Sequence, residues 1–207
     1  MTLAARIEGD LRIAGDLTVD GSMPKIGRTD LTQDALAEFA VPLTDGRVWD
    51  ALNTLLPTTS ANDDIGITGT FATDSVYLTT GDVKAGGCTR YARFLIRLPA
   101  EYDAGETVAL RISGGMKTTV SDGATTVDVQ CYKSDRAMGI SADICATAAQ
   151  SIKSLTLADK DFTITPTGLT AGDILDVRIT LAVTDAATGT AVIAVIGAIE
   201  LLCDIKG

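Results

Sequence analysis

The chain contains no histidine. That removes the usual general base, the commonest metal ligand and every Ser-His or Cys-His nucleophile pair. Its four cysteines (Cys88, Cys131, Cys145, Cys203) are widely spaced and form no C-x-x-C, so neither a zinc site nor a redox motif is indicated. They read as small buried hydrophobes, with a Cys131–Cys145 bridge as the lesser alternative. Aromatic residues make up only 4% of the 207, and tryptophan occurs once, at Trp49. The most apolar stretch, residues 191–202, is too short to span a bilayer and contains Glu200. Residues 1–5 lead into Arg6 and Glu8 rather than an apolar run, so no signal peptide is expected. Positive charge is also short: 17 Lys and Arg against 27 Asp and Glu give a net charge of −10. Phosphate binding rests on Lys and Arg, so nucleic acid is a poor partner and none is expected; with no spanning run, no membrane partner is expected either. No cofactor or metal is expected, and no enzyme.

What is present is alternation. A hydrophobic content of 46% supplies a proper core, and the pattern divides the chain in three. Residues 1–28 carry a six-residue repeat, Gly-Asp-Leu-x-[Ile/Val]-x, at Gly9 and Gly15, with a decayed third copy from Gly21. Leu11 and Ile13 point one way along a strand, and Leu17 and Val19 repeat that arrangement. Such units need three or more copies before a continuous core exists, so this arm must find another surface. Leu11, Ile13, Leu17, Val19 and Met23 are therefore candidate interface residues, with Trp49 either an aromatic anchor at that interface or a pin holding the connector to the sandwich. A β-hairpin turning at Ala14-Gly15 and docked on its own sandwich is the competing reading.

Residues 29–70 read as an irregular connector with two short helical segments. In "TDLTQDALAEF" Asp30 can cap and Leu31, Ala35 and Phe39 share a face. The second, "DGRVWDALNTLL", stops at Pro57. Residues 71–207 show period-two patterning almost throughout. The inward sets are Phe94, Ile96 and Leu98; Val108, Leu110 and Ile112; Val127, Val129 and Cys131; and Leu175, Val177, Ile179, Leu181 and Val183. The last strand is expected to bury Ile193, Val195, Ile199, Leu201, Cys203 and Ile205 on one face. Facing outward are Arg93 and Arg97, Asp128 and Gln130, and Asp176, Arg178 and Thr180. Roughly eight such strands, with "SVYLTT", "SLTL" and "FTIT" among the shorter ones, predict an all-β fold. Its architecture is a jelly-roll-like antiparallel β-sandwich with an N-terminal β-repeat arm and a short helical linker.

The small motifs favour structural roles. Asn62-Asp63-Asp64 places adjacent carboxylates in a turn, unlike the alternating oxygens of a calcium loop. The Gly86-Gly87 and Gly114-Gly115 pairs read as turns or bulges, since no Lys-Ser/Thr follows them. Arg90, Arg93, Arg97 and Arg111 are either an outward basic strip or ordinary solvated arginines.

The hexad arm "GDLRIAGDLTVDG", with the stretches "LPAEYDAGETVALRI" and "FTITPTGLTAGDILDVRITLAV", resembles virion structural proteins of tailed bacteriophages. The likeness is to head decoration (cement) proteins and small trimeric fibre modules. It implies a homotrimer, assembly in the host bacterial cytoplasm, a place on the capsid exterior and the major capsid protein as partner. The expected function is non-enzymatic: capsid decoration through the arm, stabilising the shell. The alternative is a tail- or head-fibre adhesin gripping a host-surface glycan, for which the loops offer chiefly Tyr102 as an aromatic platform.

Overall fold

Ten or more residues of strict alternation form a strand wherever a partner edge is available, and the long strands fall where the pattern is longest. The computed structural model describes residues 36–206, apart from 136 and 188, together with two short strands nearer the N-terminus. The chain divides into two units, residues 1–34 with 207, and residues 35–206. In the first, β1 (Lys25–Ile26) and β2 (Thr29–Asp30) form an antiparallel ladder. The arm residues Leu11, Ile13, Leu17, Val19 and Met23 lie outside the described residues.

The second unit contains β3 (Leu36–Ala40), a 3-10 turn at Leu43–Asp45, β4 (Arg47–Val48), β5 (Ala51–Leu55), β6 (Gly66–Thr68) and β7 (Tyr77–Thr79). There follow β8 (Gly86–Arg97), β9 (Val108–Lys117), β10 (Thr125–Ser134), β11 (Ile140–Asp143) and β12 (Gln150–Ser151). The last three are β13 (Ala158–Ile164), β14 (Ile174–Asp185) and β15 (Ile193–Asp204). A seven-stranded sheet runs β11-β10-β14-β8-β4-β5, with β12 also on β10. A six-stranded sheet runs β13-β9-β15-β7-β6, with β3 also on β15. In chain order β8, β9, β10, β13, β14 and β15 alternate between the two sheets, so each connection crosses the sandwich. All ladders between named strands are antiparallel. This is the expected jelly-roll-like β-sandwich.

The inward sets read from alternation meet in one core. Phe94, Ile96 and Leu98 pack with Val108, Leu110, Ile112, Val127, Val129, Cys131 and the odd-numbered residues 175–183, all buried. Each such aliphatic or aromatic side chain contributes roughly 1.5–3 kcal/mol by leaving water.

The helical expectations for residues 29–70 are corrected. Leu36–Ala40 is β3, laddered to Asp204–Glu200 of β15 with Phe39 opposite Leu201. The partly apolar helix face loses to an open sheet edge, because a strand there satisfies its backbone on β15. "DGRVWDALNTLL" is a hairpin: Val48 pairs with Ala51 across a Trp49-Asp50 turn, and Arg47 pairs with Arg93 of β8. Residues 36–68 are therefore part of both sheets rather than a connector.

Strand β15 also departs from strict alternation. Its pairing to β9 shifts between Ile196 and Ala198, so Ala194 and Ile196 join the core before the bulge, and Ile199, Leu201 and Cys203 after it. Ile193 and Val195 belong to the other face, and Ile205, beyond the strand, is 38% exposed. One extra residue at a bulge reverses which parity points inward. The glycine pairs lie in strands, at the start of β8 and inside β9. A Cβ on Gly115 would stand 3.1 Å from the Ser154 carbonyl and from Leu157, so the bare backbone lets residues 154–157 lie against the sheet. The "SLTL" segment is that covering loop, not a strand.

Candidate functional site

The outward residues of the seven-stranded sheet fall into register. Gln130 of β10, Arg178 of β14, Arg93 of β8 and Arg47 of β4 form one transverse row. Beside it run Tyr132, Asp176 and Leu95 on one side, and Asp128, Thr180 and Tyr91 on the other. Two inter-strand spacings, roughly 10 Å, separate β10 from β8. Over this floor lies a groove of about 330 Å³ lined by Trp49, Arg93, Gln130, Tyr132, Ile140, Ser141, Asp176 and Arg178. The hairpin turn β4–β5 supplies one wall through Trp49, and β11 supplies the other through Ile140 and Ser141.

The floor is held by a bidentate ion pair. Arg93 Nε donates to Asp176 Oδ1 at 2.7 Å, and an Nη donates to Oδ2. Hydrogen bonding to Asp176 raises the Arg93 pKa, against the opposing effect of burial. Planar guanidinium and carboxylate match in this fork, and the pair fixes both side chains. Arg178 donates to Gln130 Oε1 from an Nη. Its guanidinium carbon lies 4.9 Å from the Tyr91 ring centre and 5.4 Å from that of Trp49.

Trp49 is set in place rather than loose. Its Nε1 donates to Asp63 Oδ2 at 3.0 Å, and its ring packs on Tyr91 with centres 5.3 Å apart and a tilt of 55°. The Asn62-Asp63-Asp64 turn is thus the clamp for the tryptophan. Arg90 braces the turn by donating to the Asn62 and Asp64 carbonyls at 3.0 and 3.3 Å. Burial, reinforced by Asp63 and Asp50, raises the pKa of Asp64.

The other residues singled out from the sequence separate. Tyr102 is fully buried and donates to the Glu106 carbonyl at 2.8 Å, so it offers no platform. The arginines form no strip: Arg90 and Arg93 are engaged as above, while Arg111 lies on the other sheet between Asp161 and Glu38. The four cysteines are free thiols. Burial pushes Cys131 up to about 12 and Cys203 up to about 11.

The groove combines aromatic surface with planar donors and acceptors, which suits a flat, hydroxyl-rich ligand. Among the described residues Asp176 is the single carboxylate lining it, and Arg93 occupies both its oxygens. Glycoside hydrolysis by a carboxylate pair needs two acids converging on one bond. Ser141 also lines the groove, but no base stands among the described lining residues to activate it. Alternation alone places Arg93, Gln130, Asp176 and Arg178 outward; that they share one floor depends on the strand order β10-β14-β8, which periodicity does not carry.

No protein-family model and no curated protein sequence matches the chain. Among solved structures, it is similar to a xylan-binding module, CBM15, with a TM-score of 0.42 and 14% identity over 83% of this chain and 99% of that one. It is also similar to the CBM22-1 xylan-binding domain of Xyn10C from Paenibacillus barcinonensis (TM-score 0.38, 12% identity, 83% and 99% covered). A third likeness is to the enzymatically active domain of tailspike protein 4 of bacteriophage CBA120 (TM-score 0.38, 11% identity), covering 77% of this chain and 19% of that one. These are likenesses of architecture and assign no residue a role; the chain is an all-β, two-sheet sandwich whose outer groove is defined by its own side chains.

Proposed function

We propose that the protein is a non-enzymatic binding module of a tailed-phage particle, in which the groove on the seven-stranded sheet grips a host-surface glycan. The observation that carries this reading is the floor itself: Trp49 and Tyr132 beside Arg93–Asp176 and Arg178–Gln130, prepositioned by their own bonds. Sugar recognition needs such surfaces, with apolar rings for the C–H face and fixed polar groups for the hydroxyls. Preorganised side chains also lower the ordering cost of binding. The virion context is supported by the likeness of the hexad arm to phage fibre openings. The test is a glycan panel on the full chain, read by the fluorescence of its sole tryptophan, which lines the groove. A saturable change that Tyr132→Ala reduces at least tenfold supports the reading. A blank panel at millimolar sugar overturns it.

A second reading, capsid decoration through the arm, is favoured by strand β3. Among the described residues its only ladder partner is β15, and Leu36 and Phe39 are 45% and 36% exposed. A strand with one free edge can be extended by another polypeptide. On this reading the arm binds the major capsid protein on the virion exterior, with the chain as a trimer. Co-sedimentation with capsids tests it: the full chain should pellet and a chain lacking residues 1–28 should not.

A further inference from the structure

We infer that the groove selects a saccharide bearing a ring carboxylate, a uronate or a sialate, and that Arg178 is the seat of that carboxylate. This rests on the binding reading above and names its ligand class. The two guanidinium groups on the floor are not equivalent. Arg93 has both oxygens of Asp176, and its charge is matched. Among the described residues Arg178 has only the neutral carboxamide of Gln130 and the faces of Tyr91 and Trp49. Among the described residues its buried Nε has no hydrogen-bond partner, and no carboxylate stands within ion-pair distance of the guanidinium.

The enclosed Nε cannot itself meet a ligand oxygen, so the remaining Nη hydrogens of the groove-lining Arg178 are the donors on offer. A guanidinium offers donors in a rigid fork, the geometry a carboxylate accepts in pairs. The neighbouring Trp49 and Tyr132 line the same groove, so a pyranose can lie on aromatic surface while its carboxylate reaches Arg178. The chain carries a net charge of −10, which disfavours polyanions in general. Binding of an acidic sugar here is therefore a local match, not a long-range attraction.

The experiment compares two acidic probes, polygalacturonate and a sialylated oligosaccharide, each with its methyl ester. The ester keeps the ring and removes the charge. Titrations of the full chain are read by Trp49 fluorescence and by calorimetry. At least one acid form should bind tenfold or more tightly than its ester. Arg178→Gln should erase that preference while Arg178→Lys retains part of it, and near-ultraviolet circular dichroism checks that both variants are folded. Equal binding of acid and ester overturns the carboxylate seat but leaves the groove as a glycan site. No binding of either acid also overturns it, whereas the binding reading itself falls only with a blank glycan panel. DNA serves as a polyanion without sugar carboxylates, and binding as tight as that of the acidic sugars would overturn the assignment.

Discussion

Asp176 shows how a charge is kept in a sandwich face. Its side chain is 11% exposed and its partner Arg93 30%, so the pair is partly screened and its net worth is modest. Removing one partner is another matter, because the survivor stays in place without a match. Arg93→Met is expected to destabilise the fold by about 1–2 kcal/mol in urea unfolding, and Asp176→Asn, which leaves an acceptor and no charge, by less. Asp64 illustrates the opposite sign. Burial, with Asp63 and Asp50 nearby, raises its pKa in the folded state. A carboxyl group with a raised folded pKa supports the fold below its unfolded pKa, and that contribution is lost as pH rises through the folded value. Asp64→Asn should therefore raise the thermal midpoint at pH 7 and lose that advantage at pH 3. Thiols obey the same rule at the other end of the scale. Cys131 and Cys203, at about 12 and 11, stay protonated while unfolded thiols ionise, so alkaline pH above about 9 erodes stability. Both should resist a thiol reagent such as DTNB at neutral pH until the chain unfolds.

At the scale of elements, close approach explains glycines that turn chemistry does not. Gly115 sits mid-strand in β9, where Met116 N donates to the Ser154 carbonyl at 2.7 Å and Leu157 lies against the strand. Gly115→Val forces that loop off the sheet and should cost about 1–3 kcal/mol. Gly86→Ala is the control: its Cβ would meet only the Lys84 carbonyl at 4.0 Å, so the change should be neutral or stabilising by up to about 1 kcal/mol. Paired thermal melts check both. The β15 bulge belongs at this scale too. Its shift at Gly197 lets one strand give Ala194 and Ile196, then Ile199 and Leu201, to the same core. Period-two counting passes over such a shift because the sequence stays apolar on both parities there.

For the whole molecule, the two-unit division sets the expectation. The core drawn from Leu56 to Cys203 is closed between the two sheets of residues 36–206. A chain lacking residues 1–28 should keep its melting midpoint within about 4 °C, a change of about 1 kcal/mol for a domain of this size. Light scattering on the same pair separates the roles of arm and sandwich. An oligomer that dissociates on truncation makes the arm the assembly element, and one that persists places the contact on residues 29–207.

Local pattern determined the inward residues of β8, β9, β10 and β14, because alternation reports directly which side chains leave water. It equally determined that Arg93, Gln130, Asp176 and Arg178 face outward. Tertiary structure decided what those facts amount to. Leu36–Ala40 became a strand because β15 offered it an edge, and Tyr102 went into the core because its hydroxyl found the Glu106 carbonyl. Trp49 reached the groove because a two-residue turn carries it over Tyr91, where Asp63 holds it. Side-chain direction is set by neighbours one or two residues away, whereas strand order is set by partners as distant as residues 93 and 176. A binding face needs both.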